Sequence, residues 1–326
     1  MNEATKRGVA SKDYMDSVQS AQDRMRSEWN RRVQHHYRFW MSDGYSSDQA
    51  MWESGERDFK QLMVGLDGEL FPVGLEVGCG VGRLLPAAAG TVGSMIGVDI
   101  SDGAVARARE LLVSHANISL HTGNGFDLSM IGTGIVDLVF SFAALTTTPP
   151  LITAGYLTEI RRILSPGGVA RLQLYVGTPQ LLGRGSTFQL WCYDQVQLVR
   201  AVELAGFSVE SIRDLDTPFQ SASTELGIRP VVLGLRVAGK AESTKDAIAA
   251  LLDPDDMILN GTTGVAIDIE SWRSVQFVEE MLQKGEHSEV LAMVRYVIEH
   301  CPDAPPKLVE LYKQIAEQLT TNSNEP

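Results

Sequence analysis

The chain has 326 residues, 44% of them hydrophobic and 21% charged, and a net charge of −13. This is the make-up of a soluble globular protein with ample material for a core, and the acidic balance argues against general binding to nucleic acid or anionic membrane. Three cysteines, Cys79, Cys192 and Cys301, show no metal-type spacing, so neither a zinc site nor a disulfide framework is expected and the setting reads as cytoplasmic.

In chain order, residues 1–20 are polar and expected to be frayed and flexible. From Val18 to Trp40 the pattern is helical, rich in aromatic and basic side chains. "MSDGYSSDQ" interrupts it, and helical periodicity returns up to Leu66. Residues 21–70 are therefore expected to form a helical unit ahead of the main domain. From Val73 to Val237 short apolar runs such as "VGLEVG", "SMIGVDI" and "VDLVFSF" alternate with helical stretches. That alternation predicts βαβ units, hence a mostly parallel sheet with helices on both faces. No helical pattern separates "SVESI" from "VVLGLRVAG", so the sheet is expected to end in an antiparallel hairpin. The main domain is set at 71–239 and a helical extension at 240–320, with a disordered tail at 321–326. The extension carries apolar faces, Val290, Leu291, Val294, Val297 and Ile298 among them, that one short helix cannot bury alone. They are expected to pack on one another, on the main domain or on a second subunit as a homo-oligomer contact, and a chain ending near Lys240 is expected to fold.

The informative stretch is "GLEVGCGVGRLLPAAA", Gly74 to Ala89. A glycine-rich turn after the first strand lets backbone approach a ligand at the start of the following helix. A dinucleotide fingerprint needs glycine three residues after its second, and here Arg83 or Leu85 stands there, which disfavours NAD or FAD. The segment resembles instead the first motif of class I S-adenosylmethionine-dependent methyltransferases, an acidic residue followed by G-x-G-x-G. "GVDIS", "GNGFDL", "DLVFSFAALTTTP" and "EIRRILSPGGVARLQ" follow in the order and spacing of that family. The resemblance implies a doubly wound seven-stranded sheet with a terminal hairpin, an N-terminal helical lid and S-adenosyl-L-methionine as cofactor. It also implies roles residue by residue. Gly78, Gly80 and Gly82 would give bare backbone to the methionine part, and Glu76 would complement its amino group. Asp99, with Ile100 beside it, would accept from the ribose hydroxyls. Asn124, where the family often has aspartate, would face the adenine amine. Gly125 and Phe126 would flank the ring, with Phe126 offering a backbone N–H. Ser141 and Phe142 would lie beside the route to the methyl group.

These motifs specify the methyl donor and leave the acceptor open. The asparagine–proline–proline–aromatic signature of amino-methylating nucleic-acid enzymes is absent, and Thr147 stands near a position where many small-molecule members have histidine. A small or medium organic acceptor, methylated on oxygen or nitrogen, is the expected substrate. The alternatives are a protein or RNA substrate and a non-catalytic cofactor-binding partner. Candidate catalytic groups are His36 and Tyr175, and candidate pocket residues are Tyr37, Trp40, Tyr45 and again Tyr175. No metal is expected.

Overall fold

A computed structural model describes residues 3–41, 47–182, 187, 190–216, 227–240, 245–252, 291, 294–295, 298 and 306–322. The chain divides into two compact units, one of residues 1–181 and 190–264, the other of residues 182–189 and 265–326.

The first unit opens with α1 (Glu3–Met41) and α2 (Asp48–Met63). The chain is helical from Glu3 onward, where the sequence suggested fraying up to residue 20. From Val18 onward the helix has a buried stripe, Val18, Met25, Val33 and Trp40, seven or eight residues apart. Ser47 caps α2, its hydroxyl accepting the Ala50 N–H at 3.0 Å.

The sheet comprises β1 (Val73–Val77), β2 (Ser94–Asp99), β3 (Ile118–Thr122), β4 (Val136–Ser141), β5 (Leu164–Gly177), the short β6 (Gln180–Leu182) and β7 (Leu190–Tyr193), β8 (Phe207–Asp214) and β9 (Ile228–Val237). Strands β3, β2, β1, β4 and β5 are parallel neighbours in that order; β9 joins β5 antiparallel and β8 joins β9 antiparallel. These are the seven expected strands, closing in the expected hairpin. The two extra short strands arise because β5 outruns β4, leaving Tyr175 and Val176 free to pair with Cys192 and Tyr193 of β7.

Between the strands lie α3 (Leu85–Ala89), α4 (Asp102–Leu111), α5 (Pro150–Ile163) and α6 (Gln195–Leu204). One face of the sheet buries Leu172 and Leu174 with Ile152, Ile160 and Leu198; the other buries Leu138 and Phe140 with Phe59 and Leu62 of α2. Burial on both faces is what makes the inner strands nearly continuous apolar runs.

One boundary needs correction. Helix α7 (Lys245–Leu252) packs on α5 and α6, and its Ile248 and Leu252 belong to the core. The first unit therefore does not end at residue 239. Its final strand leaves an apolar surface on α5 and α6 that α7 covers.

In the second unit α8 (Pro306–Asn322) lies at the end of the helical extension expected at 240–320, and Leu308 and Ile315 on it are buried. Val294 is buried as well. Val290 and Val297 lie outside the described residues, as does the tail from residue 323.

Candidate cofactor and active site

The carboxyl ends of β1, β2 and β4 and the turn after β3 converge, as parallel strands of this topology require. After β1 the backbone turns through Gly78, Gly80 and Gly82, all left-handed, with φ of 74°, 54° and 84°. What the missing side chains make room for is protein. A Cβ on Gly78 would fall 2.1 Å from the Ala144 methyl, one on Gly80 2.8 Å from the Met41 sulfur, and one on Gly82 2.5 Å from Leu112. The glycines thus permit both the conformation and the close seating of α1, α4 and the turn after β4 on the loop. The expectation that they merely bare backbone to a ligand was too narrow.

Asp99 ends β2 and spans two loops. Its Oδ2 accepts the Gly80 N–H and its Oδ1 the Ser101 N–H, each at 2.8 Å. Burial raises its pKa against the lowering effect of the Ser101, Gly80 and Ile100 N–H groups. A carboxylate offers about four lone-pair sites, so room remains for a further donor. Glu76, on β1, is buried, and its Oε2 has no hydrogen-bond partner. Burial pushes its pKa up to about 8; the Arg83 guanidinium works against this and the Asp99 charge adds to it. An orphaned buried carboxyl oxygen beside a backbone cradle is a place for a cationic donor.

Arg83, in the place of the dinucleotide-type glycine, is itself buried. Its Nη1 pairs closely with the Asp58 carboxylate and bonds Ser54 Oγ at 3.2 Å, both on α2. Gly55 lets the helix come down, because a Cβ there would meet the Arg83 carbonyl oxygen at 2.1 Å. The guanidinium also stands 5.3 Å from the Phe142 ring centroid.

In the turn after β3 the groups expected to face the adenine have partners of their own. The Asn124 Oδ1 accepts the N–H groups of Phe126 and Asp127, both at 2.9 Å, and so closes its own turn. Neither that oxygen nor the Phe126 N–H is a free adenine contact. The Phe126 ring packs against Gly155 of α5, and Lys245 Nζ stands 4.8 Å from its centroid. Ile100 packs on Gly125, where a Cβ would lie 2.3 Å from its Cδ1. The Ser141 hydroxyl donates to the Val77 carbonyl at 2.9 Å, tying β4 to β1 just below the glycine loop.

Among the aromatic candidates, Tyr37 is committed to structure. Its hydroxyl bonds Asp48 and receives Arg107 Nη2 at 3.2 Å, and the Arg107 guanidinium sits 4.6 Å from its ring centroid. Trp40 is buried with the Arg32 guanidinium 5.5 Å from its ring centroid. Tyr175 is buried at the β5 edge. Tyr45 lies outside the described residues, as does the side chain of His36. Thr147, near the position of the family's histidine, spends its hydroxyl on the Ala144 carbonyl at 2.9 Å. Among the described residues no group of three or more His, Cys, Asp or Glu could hold a metal, and no helix is long and apolar enough to cross a membrane.

Sequence reasoning missed the contacts of α1. Gln22 Nε2 donates to the Asn124 carbonyl at 2.7 Å and Arg26 Nη2 to the Gly123 carbonyl at 3.4 Å. Asn30 Oδ1 accepts from Ser101 Oγ at 2.7 Å and from the Gly103 N–H at 3.0 Å. A polar stripe of period four beside the apolar one was the available signal.

Residues 75–168 match the family model of the methyltransferase domain. That stretch is a methyltransferase domain, and it takes in the glycine loop, Glu76 and Asp99. No curated protein matches the sequence. Among solved structures, phosphoethanolamine N-methyltransferase 1 of Haemonchus contortus is similar in fold, with a TM-score of 0.53 at 16% identity over 72% of this chain. The match takes in 53% of that enzyme, so this chain spans about half its length. The putative methyltransferase solved with the Haloferax volcanii Trm112 activator gives 0.49 at 20% identity, over 68% of this chain and 100% of that one. An S-adenosylmethionine-dependent methyltransferase of Methanosarcina mazei gives 0.43 at 19% identity, over 53% and 94%.

Proposed function

We propose that the protein transfers the methyl group of S-adenosylmethionine to oxygen or nitrogen of a small or medium organic acceptor in the cytoplasm. On this reading Asp99 accepts from the ribose hydroxyls with its remaining lone pairs, and Glu76 receives the amino group through the oxygen that now lacks a partner. The sulfonium supplies an already activated methyl group, so the protein's part is to hold donor and acceptor in line and to keep water out.

The acceptor class is supported by the edge where β5 outruns β4. Tyr175, Trp191 and Tyr193 are buried there, and the Tyr193 hydroxyl stands 3.3 Å from Thr153 Oγ1. The Trp191 indole nitrogen is buried without a partner. A recessed aromatic wall with one spare donor suits a compact neutral molecule better than a polyanion, and the net charge of −13 points the same way. The test is to incubate the full chain and methyl-labelled cofactor with extract of the native source, then separate products by size. Label in the small-molecule fraction supports the reading. Label confined to protein or RNA overturns it.

A further inference from the structure

We infer that Asn30 is a positioning residue: acting through Ser101, it orients the Asp99 carboxylate for the ribose hydroxyls and so couples the seating of α1 to cofactor recognition. The inference rests on the assignment of Asp99 to the ribose.

Ser101 is fully buried and has three polar duties at once. Its N–H donates to Asp99 Oδ1 at 2.8 Å, its hydroxyl oxygen accepts the Ala104 N–H at 3.0 Å as the cap of α4, and its hydroxyl proton goes to Asn30 Oδ1 at 2.7 Å. With the proton and one lone pair committed, the side chain is held in one setting, and the direction of its N–H is held with it. Asn30 Oδ1 also takes the Gly103 N–H at 3.0 Å, one of the first-turn amides of α4 that has no partner within the helix. Removing that one oxygen strands a buried hydroxyl and a helix-end amide together. The donor that fixes one side of Asp99 then loses its support.

The other side of Asp99 is backed by the same helix. Its Oδ2 is held by the Gly80 N–H, and the sulfur of Met41, the last residue of α1, lies against Gly80. Two of the backbone donors to the carboxylate are therefore seated on α1, Ser101 through Asn30 and Gly80 through Met41. Gln22 and Arg26, two turns and one turn before Asn30, hold the carbonyls of Asn124 and Gly123. The stripe Gln22–Arg26–Asn30 thus fastens α1 across the loops after β2 and β3.

A purely structural role for Asn30 would weaken all cofactor binding alike, whereas a positioning role shows at the ribose. The test titrates the full chain with S-adenosylhomocysteine and with its 2′-deoxyribosyl analogue and compares the two affinities. The natural protein should prefer the ribosyl ligand by about tenfold or more, the scale of a charge-assisted hydrogen bond. Asn30→Ala should reduce that preference to about threefold or less, and Asn30→Asp, which keeps an acceptor for both donors, should restore it. Ser101→Ala should mimic Asn30→Ala and the double variant should be no worse than either, because the two act in one chain. If Asn30→Ala does not fold, Ser101→Ala carries the comparison. Equal weakening toward both ligands in these variants overturns the inference. Asp99→Ala separates the two ideas: a preference that survives it would mean that Asp99 is not at the ribose, and both would fall.

Discussion

Arg83 and Asp58 form a buried ion pair that fastens α2 to the glycine loop, with both side chains almost wholly out of water. It places a cation in the loop where a dinucleotide site would need glycine, and that cation lowers the pKa of Glu76. One substitution in the motif therefore links the docking of a helix to the charge state of a site residue.

Breaking the pair from one side should be costly. Asp58→Ala leaves a buried guanidinium with Ser54, the Phe142 ring and the mostly protonated Glu76 carboxyl in place of its ion-pair partner. A loss of about 3–5 kcal/mol in urea unfolding is expected, as for other uncompensated buried charges. Replacing both partners, Asp58→Leu with Arg83→Met, should cost less than Asp58→Ala alone, because no charge is then stranded. A double variant as unstable as the single one would show that packing, rather than charge, holds α2.

Glu76 predicts a pH dependence of cofactor affinity. With its pKa raised by burial to about 8 in the free protein, the carboxyl is protonated at pH 6 and must release a proton to face an ammonium group. Affinity for S-adenosylhomocysteine should rise from pH 6 toward 8, then level or fall as the ligand's own amine deprotonates. Glu76→Gln should flatten the acidic limb. 5′-Methylthioadenosine, which has no amino group, should show no such limb. The same shift bears on stability of the free protein. A carboxyl whose folded pKa exceeds its unfolded value contributes stability below about 4.5, and that contribution is lost as pH rises through about 8. Glu76→Gln should thus raise the melting temperature at pH 9 more than at pH 5. A pH-independent affinity in the natural protein would place the amino group elsewhere.

Much of this was legible in the order of residues, and the exceptions share a cause. The alternation of strands and helices and the closing hairpin follow from local patterns of period two and 3.6 with turn residues between them, and the place of Asp99 beside the glycine loop is what the resemblance of the motif implies. The errors arose where a side chain's partner lies far along the chain or inside its own turn. Asn124 looked like a ligand contact because its place in the motif is a ligand position, yet two N–H groups within three residues claim its oxygen first. Tyr37 looked available until Asp48 and Arg107 were brought to it by α2 and α4. Asn30 carried no motif at all. Its role exists only because α1 crosses the start of α4, and helix crossing is a tertiary fact.

The corrected role of Asn124 changes what its variants should do. Asn124→Asp keeps an acceptor for the Phe126 and Asp127 N–H groups, so fold and cofactor affinity should stay near those of the natural protein. Asn124→Ala strands both amides and should cost about 1–3 kcal/mol of stability. Affinity would fall in step, because the Gln22 and Arg26 contacts with this turn loosen as well. Thermal unfolding with and without S-adenosylhomocysteine measures both. A stable Asn124→Ala protein with lost affinity would return the side chain to the adenine edge.

The last expectation concerns where the first unit ends. Helix α7 buries Ile248 and Leu252 against α5 and α6, and its Lys245 reaches the ring of Phe126 in the turn after β3. A chain cut after Lys240 removes this helix and bares the surfaces beneath it. Each fully buried aliphatic side chain is worth roughly 1.5–3 kcal/mol, so losing Ile248 and Leu252 alone removes about 3–6 kcal/mol. Single domains hold only about 5–15 kcal/mol in total. The chain ending at Lys240 should therefore be aggregated or marginal and bind cofactor poorly, whereas a chain ending at Gly264, the limit of the compact unit, should fold and bind S-adenosylhomocysteine. Light scattering and calorimetry on the two lengths make the comparison. Equal behaviour at both lengths would mean that α7 adds nothing to the core. Failure at both would mean that the first unit needs residues 265–326 to fold.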